Sequence, residues 1–481
     1  MHELTKIILN DMKPALGVTE PGAIAFACAR AHALIPGDIL NITVRLNSGM
    51  YKNAFTCGIP GTGNTGILFA AALGALCGDY RKGLEVLQDV TPEAEIAAGQ
   101  MVARKRVKAE MTAVTSRIFV EAEVETDRGR ARVRIRDTHT NITQEEVNGE
   151  MILDLEAPGE SAGGNAGGGA GGNAGETARE TSPQSGTGQK ASADDAPEIE
   201  AGQNSSANDA PKAEPGVDTV ADTAPHLIHQ YSVQDFLKLA DQESSENLAP
   251  IREAFTMNLA LFRQGLDSPR TTFSKYLLQE NGGKVISEDP LRTAQLLSAG
   301  AIEARVLGLS LPAMSITGSG SHGIIATLPL YAYAKIRKVP EDDLLRAALL
   351  SFLICTYIKE YSGRLSAFCG CGIAAGTGMA CGLARLRGGS SEDMDRTIRN
   401  MAAGITGMIC DGGNQGCVMK NIAAVDAAFR ASDLALAGVA VDPVHGILGN
   451  TPEETMRNMG RIASPGMTGT EKTITDIMGE K

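Results

Sequence analysis

The chain contains no tryptophan, and aromatic residues make up only 4% of its 481 positions. A core without large rings has to be filled by Ala, Ile, Leu, Val and Met. The 55 glycines then favour helices that approach one another closely. No apolar run reaches the roughly 20 residues needed to cross a bilayer. The run AALLSFLICTYI is short and flanked by charge, so it reads as a buried helix. The opening MHELTKIILN has no basic segment leading into an apolar stretch, which excludes a secretory signal at this point of the chain and makes the cytoplasm the expected compartment.

Positive charge is also scarce. Forty-four Lys and Arg stand against 57 Asp and Glu, for a net charge of -13, which gives no footprint for nucleic acid or an anionic membrane. Much of the acidity is local: Ala157 to Pro225 holds 11 acidic and 3 basic residues and supplies -8 of the total. That stretch is rich in Gly, Ala, Ser and Asn and has no aromatic residue, so it cannot bury enough apolar area to offset its chain entropy. Residues 157–225 therefore read as a disordered insertion between two foldable parts, 1–156 and 226–481.

The first part is expected to be α+β. A short helix over Leu4–Met12 precedes LGVTEPGAIAFACARAHALI, where Thr19 is a candidate cap and a helix is predicted from about Pro21 to Leu34. LNITVRLN alternates as a strand, and RIFVEAEVET, DRGR and ARVRIRDT read as a β-hairpin. The second part reads as mainly α-helical, with helical spacing over 289–307, 341–357, 366–386 and 392–408.

Nine cysteines, an odd number without framework spacing, point to reduced thiols. Four of them fall in two Gly-rich motifs: Cys369 and Cys371 in GRLSAFCGCGIAAGTG, Cys410 and Cys417 in GMICDGGNQGCVMK. Thiolates are the soft ligands that iron-sulfur clusters and zinc require, and the spacings differ from zinc-finger CxxC knuckles. From spacing alone iron-sulfur and zinc stand level, and the two pairs are expected to meet across facing helices. Cys28, Cys77, Cys355 and Cys381 read as ordinary buried cysteines.

Several separated motifs resemble those of the L-cysteine desulfidases, which are related to the iron-sulfur L-serine dehydratase α-chain: KPALGVTEP (13–21), KNAFTCGIPGTGNTGI (52–67), GSGSHGI (318–324), IKEYSGRLSAFCGCGIAAGTG (358–378) and GMICDGGNQGCVMK (407–420). The resemblance covers everything except the insertion. It implies a [4Fe-4S] cluster on three cysteines with one iron open to substrate. Cys410 and Cys417 match two of the ligands; the third is Cys369 or Cys371, with Cys369 favoured. It also implies elimination from a small amino acid, L-cysteine or L-serine, to pyruvate and ammonia. At one position the chain departs from the family: the usual GCTEP carries Val18, which neither transfers protons nor binds metal, and Cys57 is a candidate to stand in for the missing thiol.

Elimination also needs a base for the Cα proton and groups for the zwitterion. His322, between glycines and with expected access to solvent, is a candidate acid or base. Glu20 beside Thr19 is a candidate for the ammonium, its plain alternative being a helix-capping role. Lys359 and Arg364 are candidates to pair with a carboxylate. PGTGNTG and GSGSHG offer clustered amides that would cradle an anion. A non-catalytic metal-binding or redox-sensing homologue and a zinc-stabilised scaffold remain the competing functions, and small-residue helices leave a homo-oligomer open.

Overall fold

In the computed structural model the described residues are 1–156 and 226–481, apart from Arg364. The expected insertion and the role considered for Arg364 lie outside them. Helix α1 (Glu3–Asp11), strand β1 (Lys13–Leu16), α2 (Thr19–Leu34), β2 (Ile39–Leu46), α3 (Ser48–Ala54), α4 (Ile67–Cys77), α5 (Pro92–Ala103) and β3 (Val107–Met111) open the chain. Strands β4 (Phe119–Thr126), β5 (Gly129–Arg136), β6 (Ile142–Val147) and β7 (Glu150–Asp154) follow. Together β2 to β7 make a six-stranded mixed sheet in the order β3-β2-β4-β5-β6-β7. The fold is α+β.

One face of that sheet is apolar because its strands alternate with period two. Ile42, Val44, Leu46, Val120, Ala122, Val124, Val133 and Ile135 are buried in one cluster with the Ala-rich α2 and α4. The other face pairs Glu121 with Arg134 and Glu123 with Arg132 directly across β4 and β5, so charge alternates sign along the ladder. Helices α2 and α4 are thin, as their composition predicts. A Cβ on Gly74 would stand 2.5 Å from Ala25 Cα, so only glycine allows this crossing.

The second part comprises α6 (Val233–Gln242), α7 (Ser245–Leu248), α8 (Arg252–Asp267), α9 (Phe273–Glu280), α10 (Pro290–Val306), β8 (Pro312–Ser315), α11 (Gly320–Arg337) and α12 (Glu341–Ser362). It continues with α13 (Gly376–Leu386), α14 (Ser391–Ile405), α15 (Gly416–Leu436), α16 (Pro452–Arg461) and α17 (Thr468–Gly479). The run AALLSFLICTYI is the buried middle of α12, and no helix among the described residues is long and apolar enough to cross a membrane. Two helices start with local caps: Asp289 accepts from the Leu291 and Arg292 amides at α10, and Ser390 and Asp393 form a capping box at α14.

The described residues on either side of 157–225 belong to one compact unit. Strand β1 pairs antiparallel with β8, Lys13 opposite Ser315 and Leu16 opposite Pro312. Lys52 on α3 is only 1% exposed and donates to Glu471 on α17 at 2.7 Å and to Ser366 O at 3.0 Å. These ties bring the N-terminus of α2 against the cysteine motifs.

Candidate active site

The cysteine pairs meet, but not across facing helices. The helix expected over 366–386 does not begin until Cys371, with a π-helical turn over Cys371–Ala375 leading into α13. Before it, Phe368 forms an isolated antiparallel bridge with Ile409. The Cys369 N–H donates to Met408 O at 3.1 Å and the Cys410 N–H to Ala367 O at 2.6 Å. Two extended segments thus set Cys369 and Cys410 side by side, and Cys417 enters as the second residue of α15. Glycines spaced through both motifs disfavour continuous helix here, which the apolar periodicity of 366–386 concealed.

The four thiols feel one another. A hydrogen bond from Cys371, opposed by burial and helped by the Gly372 amide, holds the Cys369 thiol down at about 7, while Cys371 keeps its proton and is pushed well up. Burial and then Cys410 push Cys417 up to about 12. Cys410 is raised by burial, with Lys52 the first opposing influence. Ionising all four is unfavourable without a cation to relieve their repulsion, and one of them is already biased toward thiolate. No three His, Cys, Asp or Glu side chains among the described residues close on one point as ligands of a single ion. The donor set itself, soft thiols backed by Lys52 and by the Lys420–Asp411 pair, suits the group the motifs imply.

Helix α2 points its N-terminus at this cluster of thiols. Thr19 is not the cap; Val18 occupies that position without a side-chain bond, and Thr19 is the first helical residue. Val18 packs on the loop between Cys410 and Cys417, where a Cβ added to Gly413 would stand 2.9 Å from Val18 Cγ1. Glu20 is buried and accepts from Asn53 Nδ2 at 2.8 Å and from the Thr19 hydroxyl at 3.1 Å. Asn53 Oδ1 in turn lies 3.9 Å from Cys410 Sγ. Cys57 is fully buried, and burial, then Glu20, drive its thiol upward; Cys417 adds to the same effect.

The N-terminus of α11 closes the other side. His322 was expected at the surface, yet it is only 6% exposed because α11 starts inside the core. Burial first, then Lys359 and Arg305, push the imidazole well below its usual range and keep it neutral. The Thr317 hydroxyl donates to Ile316 O at 2.7 Å and lies 2.6 Å from His322 Nδ1. Assigning that hydroxyl proton to Ile316 O makes Nδ1 the donor to Thr317 Oγ1 and Nε2 the acceptor. Nε2 abuts Gly370, the residue between Cys369 and Cys371: a Cβ there would stand 2.6 Å from it and 3.1 Å from Lys359 Cδ. Lys359, also 6% exposed, donates to Gly363 O at 2.7 Å. The Thr19 hydroxyl, whose one proton goes to Glu20, also lies 3.3 Å from Gly318 O, so the two helix starts adjoin there.

Glu20, Thr19, His322, Lys359 and the four cysteines therefore surround one region. Lys52, Asn53, Thr317 and Arg305 join them without having been singled out in the sequence. Lys52 and Asn53 stand inside KNAFTCGIPGTGNTGI, where the motif drew attention to its glycines. Arg305 carries no signal, since a lone Arg late in a helix reads as solvated. One expected cradle is corrected. In PGTGNTG the amides of Gly61, Thr62, Gly63 and Asn64 donate to Gly308 O, Ile59 O, Glu95 and Thr62 Oγ1, so they are spent on the loop's own structure.

The family model described as "Serine dehydratase alpha chain" matches residues 81–476. A UPF0597 protein of Clostridium botulinum is 36% identical over 480 residues, covering 99% of this chain and 98% of its own. A UPF0597 protein of Caldanaerobacter subterraneus is 33% identical over 478 residues, with 99% and 98% covered. One of Oleidesulfovibrio alaskensis is 33% identical over 476 residues, with 99% and 97% covered. With both cysteine motifs, α2 and α11 inside the matched relatives, the chain belongs to the serine dehydratase alpha chain family.

Proposed function

We propose that this chain is an iron-sulfur-dependent, cytoplasmic lyase that eliminates sulfide from L-cysteine or water from L-serine, leaving pyruvate and ammonia. The supporting observation is the Phe368–Ile409 bridge, which sets Cys369 and Cys410 beside each other with Cys417 close by. Cys369, Cys410 and Cys417 would hold a [4Fe-4S] cluster, and Cys371 tunes Cys369 by its hydrogen bond. When bound, the cluster supplies a Lewis-acidic iron for the leaving group on Cβ.

The chain's own residues supply the remainder. Neutral His322, with Nε2 as the acceptor, takes the Cα proton. The electron pair of the Cα–H bond forms the Cα–Cβ double bond, and the pair of the Cβ–S or Cβ–O bond departs with the leaving group. Water then hydrolyses the released aminoacrylate. Glu20, fixed by Asn53 and Thr19, receives the substrate ammonium, and Lys359 keeps the region beside His322 positive.

The test is one anaerobic preparation assayed for iron, labile sulfide and pyruvate formation from each amino acid. Brown colour with turnover supports the proposal, and Cys410→Ser or Cys417→Ser should lose both. A colourless, iron-free protein sinks it. A second reading, a non-catalytic metal-binding or redox-sensing homologue, is favoured by Val18 at the position of the family cysteine. It predicts bound metal without turnover, whereas zinc in place of iron and sulfide identifies a zinc-stabilised scaffold.

A further inference from the structure

Helix α11 begins with amides that no acceptor among the described residues engages. Gly320, Ser321 and His322 are its first three residues, and among the described residues their N–H groups find no acceptor, whereas that of Gly323 reaches Ser319 O at 3.3 Å. Free amides at the positive end of an 18-residue helix attract an anion.

A second feature points to the same place. Arg305, on α10, is 4% exposed. Its Nη1 donates to Ser321 Oγ at 2.9 Å, while its Nε is buried with no partner. The guanidinium lies against the start of α11, since a Cβ on Gly320 would stand 2.7 Å from Nε. Glu303, two residues earlier in α10, does not neutralise it. That carboxylate is occupied by the Thr272, Phe273 and Ser274 amides at 2.7, 3.0 and 2.8 Å, where it caps α9. An arginine cannot shed its proton to ease burial, so a buried guanidinium whose Nε has no partner among the described residues is completed by binding an anion.

We propose that Arg305 and the first-turn amides of α11 bind the carboxylate of the amino-acid substrate. This rests on the lyase assignment above and adds to it the group that selects an amino acid. The geometry suits a zwitterion better than a simple anion. Thr19 lies against both Glu20 and Gly318, just before α11, and the charges of Glu20 and Arg305 both reach the buried Cys57 thiol, so a carboxylate and a guanidinium face one region. A carboxylate on Arg305 and an ammonium toward Glu20 fix two substituents of Cα. The third, hydrogen, is thereby oriented relative to His322, which feels the Arg305 charge.

Ammonia release from L-cysteine and L-serine is to be compared with release from their carboxamides. Calorimetry on the anaerobic holoprotein compares L-alanine with L-alaninamide, which lack a leaving group and stay intact. The wild type should favour the acids by roughly 30-fold or more. Arg305→Gln should erase that preference, raising KM far more than it lowers kcat, and Arg305→Lys should keep part of it. Equal handling of acid and amide by the wild type, or an undiminished preference in Arg305→Gln, overturns the assignment. Should circular dichroism show that Arg305→Gln does not fold, Arg305→Lys and the wild-type preference decide. A protein that releases no ammonia and binds no L-alanine sinks the lyase assignment too, whereas a fully selective Arg305→Gln enzyme sinks only the carboxylate site.

Discussion

Gly370 stands against the His322 ring so closely that a methyl group on it would lie 2.6 Å from Nε2. The glycine between the two cysteines of the CxC segment thus defines where the imidazole rests. Gly370 has helical φ and ψ of -54° and -35°, so alanine brings no backbone strain, only displacement of the ring and of Lys359.

Gly370→Ala is therefore expected to keep iron and sulfide near wild-type content while pyruvate formation falls about 100-fold, the scale of a misplaced catalytic group. Parallel assays of metal content and kcat check it. Loss of activity in strict proportion to loss of iron would show that the glycine serves the metal site and not the histidine.

Lys52 and Glu471 are buried partners far apart in the chain: Lys52 donates to Glu471 Oε2, and among the described residues Oε1 is buried with no hydrogen bond. Lys52→Met leaves that carboxylate stranded and should cost about 3 kcal/mol in denaturant unfolding. Pairing it with Glu471→Leu should recover most of the loss. A double variant no more stable than Lys52→Met would mean that the lysine acts through Ser366 or the thiols instead.

Glu243 gives a pH dependence with a defined sign. Burial raises its carboxyl, but hydrogen bonds from Asn247, Thr5, His2 and Ser244 outweigh this and hold it at about 2. The folded value lies below the ordinary 4.5, so the stabilisation is complete above that pH and disappears as the pH falls toward 2. Glu243→Gln should lower stability by about 1 kcal/mol at neutral pH, after discounting for solvent screening, and by nothing measurable near pH 2. A difference that stays constant from pH 7 to pH 3 would remove this account of how α1 is anchored.

Val18 packs on Gly413 in the loop between Cys410 and Cys417, where a cysteine would face the clustered thiols. Val18→Cys is close to isosteric. If a proton-transfer group is what the chain lacks there, pyruvate formation should rise by about 100-fold, the lower end of general acid-base contributions. An unchanged rate in a folded, iron-loaded variant would assign that work to Cys57 or His322.

The periodic parts of the chain were legible as sequence. The boundaries of α2, β2, the β4–β5 hairpin, α10 and α14 follow from alternation, caps and helical spacing. The site was legible in its glycine-flanked cysteines and in His322, because those motifs are local. Lys52, Asn53 and Arg305 were not. Their roles arise from burial against segments far away in sequence, and an isolated charged residue on a helix looks solvated until its neighbours are known. His322 was misjudged for the same reason: glycines on both sides suggested openness, when they actually permit tight packing against Met314 and Gly370.

The long-range ties have a consequence for synthesis. A nascent chain released only as far as α10 already carries Glu20, Asn53 and Arg305, yet it has none of the four clustered sulfurs, and the Lys52 ammonium has no counter-ion until α17 emerges. Assembly of this region therefore waits on the emergence of α17.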